Sequence, residues 1–541
     1  MQQPYDVALW LDAQGTDVEK SQKTGLTGGR IEPGLVSEVV IESKTPCYGG
    51  IRITGGEYEI RDLSIKLDGS GGDDFGGKGT GLVCAGDAKV MVKGYTAVNR
   101  GVIRNAVVVT DEAEAVFECA DITCYGGTPE ELTRAKKEVR GLPHVPWVLG
   151  LTGNNRATNL LGRGKVTYID SSIRAEGWGA LSTDGPAAPK SLDEFSIVLR
   201  TVNCDVDVFG ASGYGSYAIG AGKNIFENTR IKVPDYGLIV ANEIASAEFT
   251  NGTVVESGRF GVMWHQTQGG VLKIADSTFR TKCSTFLPKA CYPVIQVSRS
   301  QLMAENGIIL ELIDMDDPGI GKDSVQVDTR EPVKDPSHQV SQPNYADVVM
   351  FNNLTKKHCC TDLQASFADM ELTGDFYNSI TNAASVGTIY DGEMPDMSAP
   401  PPEEMEIPQD GSDFVPPMPE MKPSTLRPIN LVLSFRNVRY TGALSATRAK
   451  HRVSTITAEN NQELGMVTHS LCPAVNNGVI ASFDGKSFWT VTQTCYLTAL
   501  ELADGATVTA ASGKKLTMTV DGAETPVQPG SYRGNIVMIV E

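Results

Sequence analysis

The chain has 541 residues, of which 21% are charged and 41% hydrophobic, and its formal net charge is −19. This composition is typical of a globular protein rather than a disordered one. The acidity argues against nucleic acid or an anionic membrane as the main partner. No stretch is long enough to span a membrane. We therefore expect neither nucleic acid nor membrane as a partner.

The compartment is predicted from the N-terminus and the cysteines. Residues 1–27 show no basic start followed by an apolar run, so no signal peptide is visible. The eleven cysteines are scattered mostly singly, as reduced buried cysteines are. These features favour a cytoplasmic protein. A secreted protein whose signal had been removed would show the same sequence, and this alternative stays open.

In chain order, the predicted elements begin with an N-terminal cap at residues 1–30 and a stack of β coils at residues 31–390. The stack is predicted from a recurring phrase: apolar, any, Asn or Asp, any, any, apolar. Copies begin at Ile60, Cys119, Tyr168, Phe226, Phe249, Ile274, Phe367 and Phe435. The copies at Phe226, Phe249 and Ile274 follow one another at intervals of 23 and 25 residues, a period typical of solenoids.

The phrase predicts a parallel β-helix, all-β and right-handed because parallel crossovers take that hand. The Asn or Asp tolerates the left-handed backbone of a tight bend, and its side chain can bond the local backbone. The flanking apolar residues point inward and stack on their equivalents in the next coil. One coil cannot bury its own apolar face, but a stack of coils can.

The stack is predicted to carry one insert and to be followed by two further regions. Residues 128–146 read as a short helix and loop set into one coil. Residues 391–428 are rich in Pro, Met and Glu and read as a loop or linker. Residues 429–541 resume the β pattern, with a final coil and a hairpin-like C-terminal cap that covers the last open edge.

A second repeat, an aromatic followed by small and apolar residues, locates a candidate site. It starts at Trp178, Tyr217, Tyr236, Phe260 and Tyr292. Positions four to seven residues beyond these aromatics are polar and are predicted to face outward on neighbouring coils. The resulting stripe contains Asp184, Asn242, Glu243, Trp264, His265, Gln266, Gln296 and Arg299, and Tyr214 is a loop aromatic that could form a wall beside it.

The coil pattern resembles the pectin-lyase-like family of right-handed parallel β-helices over roughly residues 31–390. The resemblance implies a carbohydrate substrate without fixing the reaction, because that family holds lyases, hydrolases, transferases and non-catalytic tailspike and adhesin segments. An Asn-x-Asp motif and an Asp-Asp pair on a coil strand, as polygalacturonases carry, are not seen. No lyase signature of Arg with clustered Asp is evident either.

The leading functional hypothesis is an enzyme that cleaves or rearranges a glycosidic bond. Such chemistry usually needs two carboxylates, and we assign Asp184 and Glu243 to it. His265 completes the predicted catalytic set, and the expected substrate-binding residues are Trp264, Tyr214, Asn242, Gln266, Gln296 and Arg299. A lyase or isomerase would instead use His265 or Arg299 as the base. A non-catalytic adhesin or tailspike-like stalk is the alternative from another class.

Each candidate also has a structural reading. Asp184 is a standard turn residue in Ser-Thr-Asp-Gly, Glu243 could be a solvated strand-end carboxylate, and His265 could be a satisfied structural histidine. Arg299 could pair with an acid on a neighbouring coil. His358-Cys359-Cys360 lacks a second ligand pair at metal spacing, so we expect no metal and no cofactor. Because an uncapped coil end exposes backbone groups, we expect a homo-oligomer, for example a trimer.

Overall fold

In the computed structural model, the described residues are 6–138, 145, 147–184, 197–220, 222–241, 245–265, 270–318, 322–329, 362–381 and 429–541. They fall into two compact units that divide between residues 238 and 239, inside the strand Tyr236–Ala241. Each unit consists of β strands that return, coil after coil, to two sheets, which we call sheet 1 and sheet 2.

The first unit pairs its strands mainly in parallel. Its sheet 1 contains Val7–Asp12, Gly15–Thr16, Gly49–Ile53, Leu82–Cys84, Val107–Val109, Arg156–Leu160, Trp178–Thr183 and Gly213–Ile219. Its sheet 2 contains Leu26–Thr27, Arg30–Glu32, Leu35–Ser37, Val40–Ser43, Glu57–Asp68, Lys89–Arg100, Glu114–Tyr125, Lys165–Ile169, Ser172–Ala175, Ile197–Val202, Asp205–Val208, Gly222–Glu227 and Arg230–Val233. A helix at Pro129–Glu138 and a 3-10 turn at Trp147–Leu149 interrupt the coils.

The second unit continues the same scheme. Its sheet 1 contains Phe260–His265, Phe286–Pro288, Ile308–Leu312, Asp375–Ser379, Leu444–His451 and Val467–Leu471. Its sheet 2 contains Ser246–Thr250, Val254–Ser257, Val271–Ala275, Thr278–Thr281, Val294–Ser298, Gln301–Ala304, Leu363–Thr373, Leu431–Gly442, Val479–Phe483, Phe488–Val491, Cys495–Leu502, Thr507–Ala510, Leu516–Val520, Ala523–Thr525 and Gly530–Val540. The strands Ser324–Gln326 and Thr455–Thr457 form a separate antiparallel pair, and Ala458–Glu463 is a 3-10 helix.

The predicted all-β parallel β-helix is confirmed by these pairings. Residues stack directly on their equivalents, as with Val271 on Val294 and then Gln364. At the C-terminus the pairing turns antiparallel, where Gly530–Val540 lies between Cys495–Leu502 and Leu516–Val520. This antiparallel end is the β-rich cap that the sequence predicts.

The bends confirm the physical role given to Asn and Asp in the repeat phrase. Asp62, Asp170, Asn228, Asn251, Asp276, Asp369 and Asn437 all have left-handed φ values, between 44° and 56°. Their side chains bond along the stack: Asn203 Nδ2 donates to Asp170 Oδ1 at 3.1 Å, and Asn228 Nδ2 donates to Asn203 Oδ1 at 2.8 Å. The bend residues therefore join successive coils as well as turning the chain.

One copy of the phrase begins two residues earlier in the structure than the sequence predicts. In the coil predicted to bend at Asp121, the left-handed residue is Cys119, at φ 58°. The strand register pairs Phe117 with Tyr168, so the phrase in this coil begins at Phe117. A cysteine at the bend does not match the Asn or Asp of the phrase, so the pattern fits this coil two residues too late.

Aromatic side chains fill the interior of each unit. In the first unit, Phe117 stacks on Tyr168 with ring centroids 4.9 Å apart. In the second, Phe435 stacks on Phe483 at 4.6 Å, and Phe483 on Trp489 at 5.4 Å. In the part of the chain that the structure describes, no helix is long and apolar enough to cross a membrane.

Candidate functional site

The described histidines all lie in the second unit and indicate a candidate site there. Of the six histidines in the chain, the three that the structure describes are His265, His451 and His469. Each lies on a strand of sheet 1 and each contacts a carboxylate. Buried histidines paired with acids are candidates for proton transfer, although structural networks use the same pairs.

Strand alternation explains why His265 lies on the outer face of sheet 1. Trp264 is 1% exposed and its ring packs 6.4 Å from that of Phe286, inside the coil. His265 is the next residue and therefore points to the opposite face. Lys289 follows Pro288, the register partner of Trp264, and so lies on the same outer face as His265.

Lys289 binds two adjacent carboxylates. Its Nζ is 2.8 Å from Asp316 Oδ1 and 2.8 Å from Asp317 Oδ1. The side chains of all three residues are at most 2% exposed. Asp317 Oδ2 is also 3.4 Å from His265 Nδ1. The two carboxylates compensate the charge of this deeply buried cation.

His451 joins this group to a second acid. Its Nε2 is 3.1 Å from Asp316 Oδ2, and its Nδ1 is 2.9 Å from Asp328 Oδ1. Asp328 also accepts the His451 backbone N–H at 2.7 Å. The His451 and Asp328 side chains are 9% and 25% exposed, so they form the less buried end of the cluster. We call Lys289, Asp316, Asp317, His265, His451 and Asp328 the acid–base cluster.

The environment moves two pKa values in opposite directions. Burial opposes the ionisation of Asp316, but the charge of Lys289 and the hydrogen bond and charge of His451 outweigh it and hold the pKa of Asp316 well below its ordinary value. Burial likewise disfavours a charged His451, but its bonds and charge contacts with Asp316 and Asp328 outweigh burial and raise the pKa of His451. The cluster therefore holds an ionised carboxylate beside an imidazole that keeps its proton to higher pH.

A further polar group occupies the same sheet of the second unit. His469 Nε2 is 2.8 Å from Glu311 Oε2, and its Nδ1 is 3.0 Å from Thr447 Oγ1. The ring of Tyr377 lies 4.7 Å from the imidazole. The side chains of His469 and Glu311 are 3% exposed, and Thr447 is fully buried. Such a satisfied, closed arrangement suits a structural role.

The first unit holds a separate buried charge group around Asp184. The two end nitrogens of Arg156 bind Asp74 and Asp184, and the guanidinium lies 4.7 Å from the ring centre of Trp178. Asp74 is fully buried, whereas the Asp184 side chain is 13% exposed. Burial, opposed by the charge of Arg156, raises the pKa of Asp74. Asp184 is therefore an ion-pair partner rather than a free turn residue.

Tyr214 belongs to the interior of the first unit, not to a loop wall. It lies within Gly213–Ile219, is fully buried, and its hydroxyl is 2.7 Å from Ser182 Oγ. Burial raises the pKa of Tyr214 well above its ordinary value. The Gly-rich sequence around it predicted a loop because glycine also marks turns, but here the glycines fit closely packed coils.

The described residues of the predicted outward stripe do not lie on one common face. Trp264 is inside the coil rather than outward. Gln296 lies on Val294–Ser298 of sheet 2, so counting from Tyr292 carried the pattern onto a different sheet. Arg299 occupies a left-handed bend at φ 45° and binds Asp276 through two bonds of 2.7 and 2.8 Å, which is the structural reading of that residue. Asn242, Glu243 and Gln266 lie outside the described residues, as does His358-Cys359-Cys360.

Five members of the acid–base cluster were missed. Asp316-Asp317 is an Asp-Asp pair that lies just beyond the end of the strand Ile308–Leu312, not on a coil strand. An acidic pair directly after a predicted strand is the sequence feature that could have identified this site. No sequence feature points to Lys289, His451 or Asp328. The contact of His451 with Asp316, for example, joins residues that are 135 positions apart in the chain.

Comparisons with known proteins add little to the geometry. No family model and no curated protein matches the chain. One matching solved structure is titled "Crystal Structure of the periplasmic alginate epimerase AlgG", with 10% identity, a TM-score of 0.23, and coverage of 69% of this chain and 78% of that chain. That title names a periplasmic enzyme, which runs against our expectation of a cytoplasmic protein. The cytoplasmic assignment is withdrawn, and no compartment is assigned.

Proposed function

We propose that the chain is a carbohydrate-active enzyme whose proton-transfer chemistry is carried by the acid–base cluster of the second unit. The observation that supports this most directly is His451, held between Asp316 and Asp328 at 3.1 and 2.9 Å. It joins the buried end of the cluster to its more exposed end. The carbohydrate class rests on the β-helix architecture, which narrows the substrate without fixing the reaction.

The proposed proton transfer depends on which side chains of the cluster can gain or lose a proton near neutral pH. Asp316 stays ionised because its pKa is held low, so it cannot serve as a general acid near neutral pH. His451, whose pKa is raised, can donate and recover a proton in that range. His265 lies on the other side of the cluster, 3.4 Å from Asp317. A proton donor and a second imidazole fit removal and return of a proton next to a sugar carboxyl or carbonyl, as in a lyase or isomerase.

A second candidate function is glycosidic-bond cleavage by carboxylates of the first unit. Asp74 and Asp184 share Arg156, and the pKa of Asp74 is raised, as an acid catalyst requires. Glu243, the partner first assigned to Asp184, is outside the described residues. Asp74, the acid of this candidate, is fully buried, whereas His451, the acid of the other, is 9% exposed, and this difference favours the cluster of the second unit.

The test is a panel of glycans and glycosides, uronate-containing ones included, with three readouts. New reducing ends report hydrolysis, ultraviolet absorbance of an unsaturated sugar reports elimination, and deuterium uptake from heavy water without cleavage reports epimerisation. His451→Gln and His265→Gln should each lower kcat by about a hundredfold or more. Arg280→Met, which removes a half-exposed cation of the same unit, is the matched control and should leave kcat unchanged.

The outcomes separate the candidates. Loss of activity in Asp184→Asn with full activity in His451→Gln would move the site to the first unit and favour the hydrolase. Full activity in all three variants would rule out both assignments. A chain inactive on the whole panel would favour the non-catalytic stalk.

A further inference from the structure

An exposed aromatic row lies on sheet 2 of the first unit. Arg100 pairs in register with Tyr125 on the next coil. Glu176 and Phe209 continue the row, because the Glu176 N–H donates to the Cys124 carbonyl at 2.8 Å and the Phe209 N–H donates to the Ala175 carbonyl at 3.0 Å. These four residues, Arg100, Tyr125, Glu176 and Phe209, are called the aromatic row.

The rings of the row are held in place by their neighbours. The guanidinium of Arg100 lies 4.3 Å from the centre of the Tyr125 ring. Phe209 meets Tyr125 edge to face, with centroids 5.7 Å apart and planes at 69°. Beyond Tyr125, Glu176 Oε2 accepts the Gly126 N–H at 2.9 Å and fixes the chain leaving the row. A binding surface that is fixed in advance loses little entropy when a ligand arrives.

The row also presents polar groups that are not used elsewhere. Phe209 is 45% exposed, so part of its ring is open to a ligand. Within the described part of the chain, no hydrogen bond or ion pair engages the Arg100 guanidinium or the Tyr125 hydroxyl. An open aromatic face beside unused donors suits a sugar ring, whose C–H face packs on the aromatic while its hydroxyls take the polar groups.

From these observations we propose that the aromatic row binds an oligosaccharide segment as a site apart from the acid–base cluster. The Arg100 guanidinium, the Tyr125 ring and the Phe209 ring follow one another at 4.3 and 5.7 Å, so the side chains lean together into one continuous surface. A continuous surface of this kind fits a short segment of linked sugars. A second copy of this chain docked on the row is an outcome that the experiment below separates.

The experiment is affinity electrophoresis of the full chain through gels containing neutral or uronate polysaccharides. Retention by at least one polysaccharide is expected, and Phe209→Ala and Tyr125→Ala should each weaken it about tenfold in Kd. Phe488→Ala is the matched control: that ring is 40% exposed and has Arg439 at 4.8 Å, but among the described residues no second aromatic ring contacts it. It should leave retention unchanged.

The experiment distinguishes a wrong assignment of the active site from a wrong assignment of this binding site. His451→Gln should abolish turnover and leave retention intact, whereas Phe209→Ala should lose retention and keep turnover of short glycosides. Unchanged retention in both row variants, or no retention of the wild type by any polysaccharide, overturns the proposal. So does a wild type that self-associates through Phe209, shown by a lower mass for Phe209→Ala in sedimentation.

Discussion

Replacing Lys289 by Met tests whether the acid–base cluster is a tightly coupled unit. The substitution keeps most of the side-chain volume but removes the cation that lies 2.8 Å from both Asp316 and Asp317. Two carboxylates that are at most 2% exposed then lose their shared partner. Removing one member of a buried ion pair costs about 3–5 kcal/mol, because the remaining charge is left uncompensated.

Arg299→Met, in the same unit, provides the control for this measurement. Arg299 and Asp276 are 2.7 Å apart, closer than Lys289 and its partners, but their side chains are 54% and 50% exposed. An exposed pair contributes about 0–1 kcal/mol, so this variant should be nearly as stable as the wild type. The comparison separates burial from distance as the source of the effect.

The assay is urea unfolding at two pH values. In the wild type, the lowered pKa of Asp316 means that its contribution to stability is present above its unfolded value and is lost only at strongly acid pH. Without the charge of Lys289, burial is less opposed and raises the pKa of Asp316, so this carboxylate takes up a proton at a higher pH than in the wild type. The deficit of Lys289→Met should therefore shrink between about pH 7 and pH 5. A deficit below about 1 kcal/mol, or one that does not change with pH, would refute the reasoning.

Four further predictions concern the fold, the histidine and assembly. Asn228 has a φ of 44° and its side chain donates a hydrogen bond to Asn203. In chemical unfolding, Asn228→Ala should lower the free energy of unfolding by about 1–2 kcal/mol, and Asn228→Gly should lower it less. Phe249 is fully buried and its ring lies 5.1 Å from that of Phe279; Phe249→Ala should cost about 3–5 kcal/mol, and a loss below about 1 kcal/mol would contradict its inward position. The raised pKa of His451 makes its stabilising effect complete below about pH 6.5 and progressively lost as pH rises through the folded value, so melting scans should show His451→Gln with its largest deficit in mild acid. Light scattering should give a mass above 57.9 kDa, in line with a homo-oligomer, and the monomer mass at micromolar concentration would count against one.

The sequence by itself determined the features that depend on local backbone preference. A left-handed bend can be read from Asn228 or Asp276 alone, because these residue types favour that conformation and the coil repeats it. The parallel β-helix followed from the spacing of such bends, since a coil must stack on its neighbours to bury its apolar residues. The same reasoning failed at Cys119, whose residue type carries no such preference.

Only the tertiary structure decided which side chains meet. A shift of one position separates the buried Trp264 from His265 on the outer face, and no local rule fixes that register. Coil length varies, so offsets counted from Tyr292 ended on sheet 2 instead of sheet 1. Lys289, Asp316 and His451 come from distant parts of the chain, and strand pairing brings them together. Their burial and shifted pKa values are properties of that packing, which no residue pattern along the chain encodes.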